Sequence, residues 1–144
     1  KQTREWLDLY FAGKDPEFLP SLAPEGSEFR KEVWKILLTI PYGKTMTYGE
    51  IGRKVAEMTG KKHMSAQAVG GAVGHNPISI LIPCHRVVGT NGSLTGYAGG
   101  IEKKIGLFET GTDGHVRDVC AEERNSAVVE KCWMFTCMVS SSEL

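Results

Sequence analysis

From Ile78 to Val88 the chain reads ISILIPCHRVV, an apolar, β-like run interrupted by Pro83 and then by a thiol, an imidazole and a guanidinium in succession. No other segment restricts the fold as strongly. A run of this kind belongs in a core, and a core accepts polar groups only when they are paired. Proline donates nothing to a sheet ladder, so Pro83 breaks the strand and a tight turn is expected there. The rest of the chain has to explain why Cys84, His85 and Arg86 stand inside it.

The cysteine alone admits several readings. A thiol in an apolar run is commonly an inert core residue. A free thiol, with a pKa of about 8.5, is a weak nucleophile at neutral pH; a nearby cation, a base or helix-end amides can hold it as thiolate. His85 is adjacent, but side chains at i and i+1 of an extended strand face opposite ways, so only a turn could unite the pair. A metal site has little support. There is no CxxC, one adjacent Cys-His pair has poor ligand geometry, and His115, Cys120, Cys132 and Cys137 fit no standard zinc spacing. A hydrolytic Cys–His enzyme would also need an orienting Asn or Asp.

The flanking segments are mostly helical. Thr3 to Phe11 forms a short helix with Trp6, Leu7 and Tyr10 on one face, ended by Gly13. Three prolines in KDPEFLPSLAPEG make residues 14–26 an extended linker. Phe29, Val33, Ile36, Leu37 and Ile40 recur at helical spacing, predicting a core-facing helix from Ser27 to about Thr39. Thr47 and Glu50 make a capping box for a helix with Ile51 and Val55 on its buried stripe; Gly60 breaks it. Ser65 caps a further helix of very small residues that stops at Asn76-Pro77. Two short helices joined by a basic turn suggest a helix-turn-helix, although small residues equally suit close helix packing. Asn91-Gly92 predicts a type I′ hairpin between Val87-Val88 and Leu94-Thr95. Gly96 to Gly100 is a loop whose backbone can approach a ligand, and Ile101 to about Glu109 a last helix.

Net charge is zero, but it is not evenly spread. Residues 1–28 carry three basic and six acidic groups (net −3), residues 29–108 eleven and four (+7), and residues 109–144 three and seven (−4). A basic middle suits a polyanion-binding core, and equally a solvated lysine-rich surface. No run approaches the roughly 18 apolar residues of a membrane helix. Four unevenly placed cysteines make no disulfide scaffold, so a reduced, cytoplasmic setting is expected. The chain begins with Lys1 and has no signal-peptide h-region, which reads as a fragment or a processed form.

IPCHRV, preceded by GHNPISIL and followed by VGTNGSLTGYAGGIEKK, resembles the active-site segment of the O6-alkylguanine-DNA alkyltransferases, the methylated-DNA–protein-cysteine methyltransferases. FRKEVWKILLTIPYGKTMTYGEIG and SAQAVGGAVGHNP resemble the same family, so the similarity runs over about residues 27–109. It implies an α+β, mostly helical, winged helix-turn-helix-like DNA-binding domain with a short hairpin. Residues 1–26 resemble the last helix and linker of an N-terminal domain, and 110–144 are an unassigned tail.

The resemblance also implies roles. Cys84 takes the alkyl group from O6 of guanine, once per molecule, and His85 is its base through a water. Tyr48 helps rotate the nucleotide out of the duplex and donates to the base, while Asn76 braces the cysteine turn. The carbonyls of Cys84 and Val87 accept from the guanine amino group, and the Ala98 amide faces O6. Ala68 and Gly70 lie on a recognition helix entering the minor groove, and Thr90 touches the DNA backbone. The implied partner is double-stranded DNA containing O6-alkylguanine, bound by a monomer in the cytoplasm or wherever the DNA is, with no membrane, cofactor or metal.

Two positions depart from the family pattern. Gln67 stands where an arginine finger usually fills the gap left by the flipped base. Gly111 stands where a glutamate usually completes a Glu–His–water–Cys relay. These departures leave an alternative, a non-enzymatic alkylated-DNA-binding protein with weak or no transfer.

Overall fold

The computed structural model describes residues 1–94, 97 and 100–110. Among them the order is α1 (Gln2–Phe11), α2 (Glu28–Leu38), β1 (Met46–Thr47), α3 (Tyr48–Thr59), α4 (Ala66–Gly74), a 3₁₀ turn (Cys84–Arg86), β2 (Val87–Val88) and α5 (Ile101–Thr110). The fold is α+β and mostly helical, with one two-stranded parallel sheet among the described residues.

Each helix of the central unit starts at a side-chain cap. Ser27 Oγ accepts from the Arg30 amide and Ser65 Oγ from the Ala68 amide. At α3 the box is complete: the Glu50 amide donates to Thr47 Oγ1 at 3.2 Å, and the Thr47 amide donates to Glu50 Oε2 at 2.7 Å. Caps of this kind each contribute about 1 kcal/mol. Gly60 ends α3 in the left-handed region at φ 67°, a conformation that a Cβ would penalise.

Helices α2, α3 and α4 pack on one another around Val33, Trp34, Leu37, Ile51, Val55, Val69 and Val73, with Ile82, Cys84 and Val87 closing the cluster. Trp34 Nε1 donates to the Ala72 carbonyl at 2.9 Å, tying α2 to α4. A second cluster joins α1 to α5: Trp6 and Tyr10 pack with Leu81 and Leu107. The 3₁₀ turn lies where the two clusters meet.

Two expectations for the stretch after Pro77 need correction. Only Val87–Val88 of the apolar run is a strand among the described residues, and it pairs in parallel with Met46–Thr47, a pairing that local spacing does not announce. Residues 78–82 fold instead into a tight turn with Ile80 at φ 74°, a left-handed conformation that costs a β-branched residue of order 1–3 kcal/mol. The Asn91-Gly92 tip is not a type I′ turn, because among the described non-glycine residues only Ile80 has positive φ. A three-residue loop forms, closed by the Gly89 amide on the Ser93 carbonyl and the Gly92 amide on the Gly89 carbonyl, with Gly92 at φ 74°. That is the turn-plus-bulge solution for a loop of this length. Thr95 lies outside the described residues. No helix among the described residues is long and apolar enough to cross a membrane.

Candidate active site

The 3₁₀ turn explains how three consecutive polar residues are buried together. With three residues per turn, their side chains leave the axis in three directions. Cys84, His85 and Arg86 are all buried, and each meets a different part of the fold.

Arg86 turns toward the end of α2. Its Nη1 donates to the Ile40 carbonyl at 2.9 Å, and its guanidinium lies 5.6 Å from the centre of the Tyr42 ring. Ile40 lies two residues past α2, so the cation also stands near the negative end of that helix's dipole. Arg86 is therefore a fold residue, satisfied away from the thiol.

Cys84 is set by the preceding turn. Asn76 follows α4, accepts from the Ile78 amide at 3.0 Å and donates to the Ile82 carbonyl at 2.8 Å, so one side chain brackets strained Ile80. Burial pushes the Cys84 thiol up from its ordinary range; opposing that are the Asn76 amide, its own backbone N–H, the charge of Lys104 and the His85 N–H. Burial dominates. Cys84 is accordingly a thiol at neutral pH in the free protein, surrounded by groups that would stabilise the thiolate once a base removes the proton.

His85 is 1% exposed. Burial, with the charges of Arg86 and Lys104 adding to it, brings its pKa down to about 3, so the imidazole is neutral at physiological pH. Its Nε2 lies 2.8 Å from the Tyr10 hydroxyl. Its Nδ1 is buried and has no hydrogen-bond partner among the described residues.

Tyr48, the first residue of α3, is half-buried against the same core cluster. Burial raises its pKa, and the proximity of Cys84 raises it further, so the phenol stays a donor at neutral pH. Lys104 is fully buried, with its pKa brought down to about 8 by burial and held up by Cys84. Sequence reasoning missed Lys104 and Tyr10. For Lys104 a signal existed: it sits three and four residues before Leu107 and Phe108, on the apolar stripe of α5, where a lysine needs a reason.

The structure thus brings Asn76, Tyr48 and Lys104 near the Cys84 sulfur. Val87 is buried in β2 directly after the turn. Gln67 and Ala68 are exposed and Gly70 partly so, on the face of α4 opposite buried Val69, Ala72 and Val73. Thr90 is exposed at the loop tip. Ala98, Gly111, His115, Cys120, Cys132 and Cys137 lie outside the described residues. Among the described residues no three His, Cys, Asp or Glu side chains converge as a metal site.

Comparison with known proteins locates this arrangement. The family model described as the 6-O-methylguanine DNA methyltransferase, DNA binding domain, matches residues 28–111. A Mycobacterium bovis methylated-DNA–protein-cysteine methyltransferase is 52% identical over 103 residues, 72% of this chain and 59% of that protein. A Methanosarcina acetivorans protein of the same name is 48% identical over 109 residues, 76% of this chain and 67% of its own length. The crystal structure of Mycobacterium tuberculosis OGT in complex with DNA superposes with a TM-score of 0.67 at 50% identity, covering 74% of this chain and 63% of that one. An O6-methylguanine-DNA methyltransferase from the archaeon Pyrococcus kodakaraensis gives 0.57 at 34% identity, covering 74% and 60%. The chain spans about 59% of the length of the first of these relatives.

Proposed function

The chain belongs to the 6-O-methylguanine DNA methyltransferase family, and on that premise we propose that it repairs duplex DNA by moving the methyl group of O6-methylguanine onto its own Cys84, once per molecule. The observation that carries this reading is the setting of the sulfur: a buried thiol on a tight turn, with Asn76, two backbone amides and Lys104 acting on it.

The target atom is hidden in the base stack, so the nucleotide must be turned out of the helix at a cost of a few kcal/mol. Tyr48, beside Cys84 and held protonated, is the donor to the extruded base. The thiol proton passes through a water to His85. Sulfur then forms a bond to the methyl carbon as the carbon–O6 bond breaks, and the electron pair leaves on guanine, which takes up a proton. A neutral imidazole suits the task, because the resulting imidazolium and thiolate offset each other's burial. Asn76 holds the turn; the carbonyls of Cys84 and Val87 and the amide of Ala98 serve the base edge.

The DNA lies against α4. A Cβ at Gly70, Gly71 or Gly74 would meet nothing within 4 Å, so this helix face lets a backbone come close, which favours a minor-groove approach. Gln67 and Ala68 on α4 and Thr90 on the loop would meet the duplex. Residues 1–26 correspond to the end of an N-terminal domain, and the protein works as a monomer where the DNA is held.

Intact-protein mass spectrometry after incubation with a duplex carrying one O6-methylguanine tests this. One added methyl group on Cys84 is expected. Tight binding without an adduct would replace the transferase by an alkylated-DNA-binding protein.

A further inference from the structure

The N-terminal helix reaches the chemistry of the site through one atom. Tyr10 is fully buried, and its hydroxyl meets the Leu107 carbonyl at 3.1 Å and His85 Nε2 at 2.8 Å. A carbonyl only accepts, so the single hydroxyl hydrogen points at Leu107 and a lone pair faces the imidazole. Nε2 must then carry the imidazole hydrogen. The neutral ring has one such hydrogen, so Nδ1 is left as a bare lone pair, and it is this nitrogen that is buried without a partner among the described residues. Burying an unpaired acceptor is unfavourable and needs a reason.

We propose that Tyr10 is a positioning residue of the transfer site, fixing the His85 tautomer so that Nδ1 is the proton acceptor for Cys84. The proposal rests on the reading of His85 as the base for that thiol. The hydroxyl is itself held by a rigid aromatic set. Tyr10 stacks on Trp6 at 5.3 Å and 8°, and meets Phe11 and Tyr42 edge-on at 5.6 and 5.9 Å. The imidazole is clamped by edge contacts with Tyr10 at 5.9 Å and Phe108 at 6.5 Å. Packing alone would be served equally by phenylalanine at position 10. What the oxygen adds is an acceptor aimed at Nε2. An oxygen acceptor on the far nitrogen of a catalytic histidine sets which nitrogen is free to take a proton. Helix α1 thereby belongs to the working site and is more than the end of a preceding domain.

Side-chain ¹⁵N NMR of the labelled full chain, with Tyr10→Phe beside it, tests the assignment. Wild type should show Nε2 protonated and Nδ1 bare. In Tyr10→Phe the ring should move toward the other tautomer, and the single-turnover rate should fall roughly tenfold to a hundredfold, a large part of a general-base contribution. A wild-type His85 protonated on Nδ1 overturns the proposal without recourse to any variant. So does a Tyr10→Phe protein that keeps the wild-type tautomer. If wild type transfers no methyl group, the proposed function fails, whereas the tautomer measurement still decides the role of Tyr10.

Discussion

The Asn76 side chain donates to the Ile82 carbonyl across 2.8 Å while accepting from the Ile78 amide, so a single residue holds both ends of the turn that presents Cys84. Asn76→Ala removes both bonds, leaving the Ile78 amide without its acceptor and the Ile82 carbonyl with the Cys84 amide alone, beside the strained Ile80. We expect a loss of about 1–3 kcal/mol in urea unfolding. The thiol pKa should rise as well, because the amide is first among the groups that lower it. An unchanged unfolding midpoint would mean that the turn is held by packing alone.

Thr47 caps α3 one residue before Tyr48, so its box sets where that phenol begins. Thr47→Ala should cost about 1 kcal/mol, within the 0.5–2 range of cap deletions, measured by chemical denaturation. Transfer should slow by more than this loss of stability explains, since Tyr48 is the first residue freed when the helix frays. A rate equal to wild type in the fully folded variant would separate the cap from the site.

His85 predicts an acid-side loss of stability. Its folded pKa is about 3 against an ordinary 6.5, so the unfolded chain binds the extra proton first. Stability is then fully present above about 6.5 and declines as pH falls toward 3, by at most roughly 5 kcal/mol. His85→Gln should flatten this part of the unfolding free energy against pH. If the slope between these limits is the same in both proteins, other groups drive acid unfolding.

Lys104 is one of the groups that pull the Cys84 pKa down against burial. In Lys104→Met the pH midpoint of thiol alkylation should move up, and each unit of movement cuts the thiolate fraction about tenfold at neutral pH. In wild type the alkylation rate of Cys84 should already climb only on the alkaline side of an ordinary thiol. An alkylation midpoint on the acid side of an ordinary thiol would contradict the dominance of burial.

Gln67 is exposed on the open face of α4, where the family usually places arginine. Gln67→Arg should tighten duplex binding by about 1 kcal/mol, steepen the dependence of log K on log salt by about one, and speed repair. Fluorescence anisotropy at two salt concentrations measures the binding. Unchanged affinity and slope would place residue 67 away from the DNA.

Helices and their starts were legible because they depend on neighbours. Ser27, Thr47 and Ser65 each cap through an amide three residues on, and the stripes of Val33, Leu37, Ile51 and Val55 follow the helical period. The order of motifs around PCHR was equally a property of the sequence, and so was the family it resembles. The apolar run from Ile78 reads as strand in the sequence because its periodicity cannot show Asn76 folding it back on itself. The pairing of Val87–Val88 with Met46–Thr47, some forty residues earlier, carries no local signal at all.

The partners of the three polar residues lay further out of reach. Arg86 finds Ile40, His85 finds Tyr10 and Cys84 finds Lys104, at separations set by how α1, α2 and α5 pack. Local hydrogen bonding and side-chain spacing are written within a few residues of each other, so the sequence by itself determined the helices, their caps and the run of polar residues at Cys84. Burial and the pairing of buried groups exist only once distant segments meet, so the tertiary structure alone decided which cation lies near that sulfur and which hydroxyl meets the neighbouring imidazole.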